Sequence, residues 1–266
     1  MGRLDWIETM TALSPALPFA FVLAAAYLYA AFLKRRKGAK WPAYRCLLWC
    51  MGAFAAAAAV AGPLAERAHA DFTAHMAVHL LLGMLAPLLF ASAAPLTLLL
   101  GTLPVRAARR IARLLNTRYF RTVSHPLAAS ILQIGGLWLL YTTGLYAAMH
   151  QYALVHAAVH VHLLLAGYLF TVSLITFDPH PHRTGYLYRA AIFTAALTGH
   201  NILSKWVYAH PPHGVAPAQA EAGGMLMYYG GDAIHAVFIT LFCLQWYKAA
   251  KPRTSAAGQA AKAEAL

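Results

Sequence analysis

Residues 72–101 contain no Asp, Glu, Lys or Arg. A bilayer offers no water to bare backbone N–H and C=O groups, so an uncharged apolar run of this length is read as helix. One crossing takes roughly 20 residues, which makes this run too long for a single straight span. Pro87 and Pro95 interrupt it and predict a kink or a break. Six further apolar runs follow the same logic, over residues 18–33, 44–61, 126–147, 152–176, 188–208 and 228–247. Only 11% of the chain is charged and 61% is hydrophobic, against about 25% charged in soluble domains. The expected fold is all-α: a polytopic membrane protein of seven spans, forming one domain over 1–248 with a flexible tail over 249–266.

The net charge of +13 is read as topology, not as a nucleic-acid surface. Eighteen of the 21 Lys and Arg fall on one side of a seven-helix path and three, Arg3, Arg67 and Lys205, on the other. Cytoplasmic loops carry the excess of basic residues. The N-terminus is therefore expected outside and the C-terminus in the cytoplasm, in a cytoplasmic (inner) membrane. The basic stretch 106–121, with Ile111, Leu114 and Leu115 between arginines, is expected to lie on the bilayer surface. Residues 17–33 precede the basic cluster Lys34 to Lys37. A secretory signal has the opposite order, so this run is expected to stay as the first span. A turn is expected at Gly223-Gly224, before the last span.

Histidines give the chain its chemistry. His75 and His79 are four apart near the start of the third span, and His156 and His160 are four apart near the start of the fifth. Residues at that spacing share a helix face. Asp232 and His235 begin the seventh span. All three helices enter from outside, so their polar groups fall at one depth, and Asp71, His150 and Met149 lie at or above it. Polar rings in hydrocarbon need a partner, water or a metal. Any one ring could simply bond a neighbouring helix; a shared level on three helices points instead to an outward-facing site. Imidazole suits copper, zinc and iron, and thioether favours Cu(I). The candidate metal ligands are His75, His79, His156, His160, His235 and Met76, with Asp71 and Asp232 as partners holding a ring nitrogen.

Other features carry less. Cys46, Cys50 and Cys243 suit either apolar packing or a soft-metal site near the cytoplasmic side. His200 and Asn201 fall near mid-membrane, away from the outer group. His180 and His182 read as a solvated turn. Phosphate-binding loops, dinucleotide fingerprints and nucleophile elbows are absent from the sequence, and no enzymatic activity is expected. An alternative is a b-type haem redox protein with paired histidine ligands, but the inner half of the membrane lacks the second set that two stacked haems would want. A transporter would need polar groups continuing through the midplane, and His200 alone is thin support.

The stretch from His75 and Met76 through His79 and Pro87 to Ala94-Pro95-Leu96 resembles the signature of the CtaG family of cytochrome c oxidase assembly factors. Weaker likenesses are Trp138 with Tyr141 and Gly144-Leu145-Tyr146, the His156 and His160 helix, Asp178-Pro179, and Gly223-Gly224-Met225 with Met227. Tyr228-Tyr229 stands where family members often carry Trp. The resemblance extends over about residues 17–248. It implies seven spans, a role in maturing the oxidase through copper delivery, and oxidase subunits or other copper chaperones as partners beside the lipid bilayer.

Overall fold

A computed structural model describes residues 16–178 and 184–251, and every regular element among them is a helix. In chain order these are α1 (Ala16–Arg36), α2 (Ala43–Val60), α3 (Pro63–Ala68), α4 (Phe72–Ser92), α5 (Pro95–Thr102) and α6 (Val105–Leu115). They continue with α7 (Arg118–Val123), α8 (Pro126–Thr142), α9 (Leu145–Gln151), α10 (Ala153–Leu174), α11 (Tyr186–Ala209) and α12 (Pro217–Ala250). Helices α1, α2, α4, α10 and α12 are each long and apolar enough to cross a membrane. Helices α8 and α9 make a sixth such stretch if taken together, although they meet at 78°. Helix α11 has 24 residues, but Arg189, His200, Asn201 and Lys205 keep it out of that set. Arg3, His180, His182 and residues 252–266 of the expected tail lie outside the described residues.

The arrangement is built around α4. Of its apolar window 78% is buried inside the protein, against 11–28% in the other four spans. Helices α2, α10 and α12 pack directly on it. The outward faces of α1 and α2 present Phe19, Phe21, Phe32, Leu47 and Phe54, as lipid-facing helices do.

Pro87 does not break α4. Proline lacks the N–H that would bond the carbonyl four residues back, here Gly83. The helix widens into a π turn over Leu81–Leu85, and the side-chain amide of Gln133 donates to Gly83 O at 2.9 Å. Gln133 itself sits in a second π turn, Ile131–Gly135 of α8. There His162 Nε2–H donates to Leu132 O at 3.0 Å. Gly167 lets α10 close on this joint, because a Cβ at that position would overlap Gly83 O.

The break comes instead at Ala94, which takes a left-handed φ of 54° ahead of Pro95. The hydroxyl of Tyr27 caps the free carbonyl of Ala93 at 2.7 Å. The carboxylate of Asp178 accepts from Leu96 N at 3.1 Å and Thr97 N at 2.7 Å, closing the start of α5. These bonds satisfy part of the exposed backbone that a broken membrane helix leaves.

Two expected boundaries are corrected. The run 126–147 is not one straight helix: Thr143 is extended, with φ −119° and ψ −179°. The hydroxyls of Thr142 and Thr143 turn back to Trp138 O and Leu139 O, and α9 leaves at a steep angle. Gly223-Gly224 is not a turn either, since α12 is helical from Pro217. These glycines permit close packing. A Cβ at Gly223 would stand 2.7 Å from the Phe72 ring, and one at Gly224 would stand 2.9 Å from Ser204 O. The expected surface segment forms α6 and α7, neither of which has a buried residue.

Candidate histidine site

Asp71 starts α4 as its N-cap, accepting from Thr73 N at 2.8 Å. Cap and helix together aim His75 and His79 inward, and both rings are buried. They part around Tyr141, whose ring centroid is 5.9 Å from that of His75 and 6.3 Å from that of His79.

His75 faces the α9–α10 side. Its Nε2 shares a hydrogen bond with the Tyr141 hydroxyl at 3.1 Å. With His69, His156 and His160 it lines a cavity of about 40 Å³. Met149, Val78 and small residues of α2 and α3 complete the lining. The His69 ring stacks on His156 at 5.1 Å, and His156 lies 4.2 Å from His160. His150 sits at the edge, 6.4 Å from both His69 and His75. Exposure is graded: His69 and His150 are exposed, His156 and His160 half-buried, His75 buried. His160 Nδ1–H donates to His156 O at 2.9 Å, which leaves its Nε2 with a free lone pair. We call this group the vestibule.

His79 faces the other way. Its ring stacks on His200 of α11 at 6.0 Å, and His200 meets His235 of α12 edge-on at 5.1 Å. Gly231 makes room for His200, because a Cβ there would come within 2.5 Å of the ring. Both ring nitrogens of His79, both of His200, and Nδ1 of His235 have no hydrogen-bond partner among the described residues. A buried unpaired polar atom costs about 1–3 kcal/mol. Three such rings together are an expensive arrangement unless something enters between them. A cavity of about 10 Å³ adjoins His200 and His235, with Met84 and Gln133 also on its wall.

The expected ligands therefore fall into two groups. His75, His156 and His160 come together, and His69, in the link before α4, joins them. His79 and His235 come together around His200, which the sequence reading set apart. Met76 lies in neither cavity lining; it is fully buried and packs beside Phe72 against Gly223. Asp232 accepts from Asn201 Nδ2 at 3.2 Å and stands 4.0 Å from His235 Nδ1, too far for a hydrogen bond. Among the described residues, no three His, Cys, Asp or Glu side chains already converge at metal-ligand geometry. The donor chemistry nevertheless fits a soft cation: neutral imidazoles, with a thioether on each cavity wall.

A family model described as cytochrome c oxidase caa3 assembly factor matches residues 25–249. The chain is 32% identical over 186 residues to uncharacterized proteins of Mycobacterium bovis and Mycobacterium tuberculosis, covering 67% of this chain and 28% of each relative. An uncharacterized protein of Mycobacterium leprae is 30% identical over 188 residues, again with 28% of its length covered. The chain thus spans little more than a quarter of these curated relatives. No solved structure matches.

Proposed function

Because this chain belongs to the cytochrome c oxidase caa3 assembly factor family, we propose that it serves oxidase maturation by holding Cu(I) in the vestibule at the outer face of the cytoplasmic membrane. The observation that carries the reading is the cavity itself. Four imidazoles from three places in the chain, His69, His75, and the pair His156 and His160, line one small space together with Met149. Its volume of about 40 Å³ exceeds the roughly 10–15 Å³ that one water-sized sphere needs. It takes an ion and leaves no room for a macrocycle, which favours copper over the haem alternative. The rise from exposed to buried rings gives an ion an entry and a resting place. The chain acts as a holder and donor, without turnover of its own. Oxidase subunits or other copper chaperones are its partners.

The topology that puts the vestibule outside counts seven crossings. Helix α11 is the seventh: its 24 residues reach about 36 Å at 1.5 Å per residue. The bent α8–α9 pair is one crossing. The eighteen-to-three division of Lys and Arg then supports an outside N-terminus and a cytoplasmic C-terminus.

The test is the double variant His156→Ala, His160→Ala at normal expression. Both rings are only half-buried, so the chain should still fold and insert. Oxidase subunits should be present with lowered activity and copper content, partly restored by added copper, since mass action refills a weakened site. Activity and copper content equal to the wild type would remove the copper role.

A further inference from the structure

We propose that His79, His200 and His235 form a second, deep site for one monovalent soft cation, Cu(I), separate from the vestibule. The choice of ion rests on the copper reading above; the place rests on the three rings alone. Three imidazoles bound to one ion through N–metal bonds of about 2.0–2.1 Å have ring centroids about 5–5.5 Å apart. The spacings here are 5.1 Å for His200–His235 and 6.0 Å for His79–His200. The second is wider by about 0.5–1 Å than that spacing, and the His79 and His200 rings, nearly parallel at 25°, must turn about their side-chain bonds for both to aim a nitrogen at one ion. The unpartnered nitrogens supply the donors, and Met84 on the adjoining cavity wall offers a thioether as a fourth ligand.

The charge of the ion follows from the surroundings. Among the described residues, the carboxylate found beside the rings is Asp232, which is 4.0 Å from His235 Nδ1 and already accepts from Asn201. A divalent ion with neutral ligands would keep its full charge in an apolar interior, where the penalty grows steeply with charge. A monovalent d¹⁰ ion accepts three-coordination by soft or borderline donors. Tyr141 stands between His75 and His79 and separates the two stations.

The chain in lipid nanodiscs is titrated anaerobically with Cu(I) against a chromophoric chelator. The wild type should bind two ions. His200→Gln with His235→Gln should bind one, and His156→Ala with His160→Ala should bind one. Both ring nitrogens of His200 and Nδ1 of His235 have no hydrogen-bond partner among the described residues, so the metal-free deep variant should unfold no earlier than the wild type. If the deep variant binds as many ions as the wild type, the deep site is wrong while the vestibule stands. If the wild type binds one ion that only the deep variant loses, the deep site stands and the vestibule reading falls. X-ray absorption of the loaded vestibule variant gives the ligand set independently of stability. Scattering from imidazole rings at the bound ion supports the assignment, and its absence overturns it.

Discussion

Replacing Gly167 with Ala should reverse the usual effect of that change. In an open helix, Gly→Ala stabilises by about 0.8–1.0 kcal/mol. At Gly167 the added methyl would overlap the backbone oxygen of Gly83 and sit 2.9 Å from Pro87 Cγ. Neither obstacle is the tip of a flexible side chain, so α10 must move off α4 by about 1 Å to restore ordinary contact. Overpacking of this kind costs about 1–3 kcal/mol. For a chain of this size each kcal/mol shifts the melting temperature by about 2–4 °C. The expected fall is therefore roughly 2–12 °C, read by thermal unfolding of the purified chain in mild detergent. Gly135→Ala is the control. It lies in a helix too, but its added methyl would meet only Ile131 Cγ2, at 3.8 Å, so it should be neutral or slightly stabilising. A Gly167→Ala protein that melts with the wild type would refute the close approach of α10 to the π turn of α4.

Gln133→Met keeps the size of the side chain but removes the donor to Gly83 O. It should destabilise by about 1–3 kcal/mol, the range for a stranded buried carbonyl; unfolding at the wild-type temperature would show that Pro87 needs no substitute donor. Asp178→Ala should free the first turn of α5, at about 0.5–2 kcal/mol for a lost cap, and hydrogen exchange at Leu96 and Thr97 should speed up. Unchanged exchange there would mean that the carboxylate is not what holds α5.

The helical spans were legible because each is a long apolar run with few charges, and hydrocarbon allows the backbone little else. The placement of α11 was legible only by length, as its polar residues blur the signal. Gly223-Gly224 misled because glycine has two uses: it permits turns, and it permits close approach. Only the neighbour across the interface, Phe72, decides between them. The two π turns left one trace, Pro87, whose missing donor to Gly83 O had to be supplied by Gln133, fifty positions on from Gly83. Among the histidines, the i,i+4 spacing that puts His156 and His160 on one face, beside His75, was readable. Counted from the shared end, His79 is seven residues into α4 and His200 nine residues back from Ala209, so the same arithmetic applied to α11 would have placed His200 beside His79. The parting of His75 from His79 was not readable. Four residues advance a helix by 400°, so the two side chains leave about 40° apart, and a wedge such as Tyr141 can widen that difference.

The joint between α4, α8 and α10 has one more effect, on which changes the chain can tolerate. Helix α10 is pinned at His162, against Leu132 O, and at Gly167, against Gly83 O. His156 and His160 lie on the same continuous helix, the nearer about half a turn and the farther about one and two-thirds turns before the first pin. An added or lost residue between His160 and His162 would swing the vestibule pair by about 100° about the helix axis, while both pins stayed seated. In this stretch the spacing, more than the identity of the residues between, is what the vestibule depends on. The reach from His156 to Gly167 works as a ruler whose divisions are helical turns.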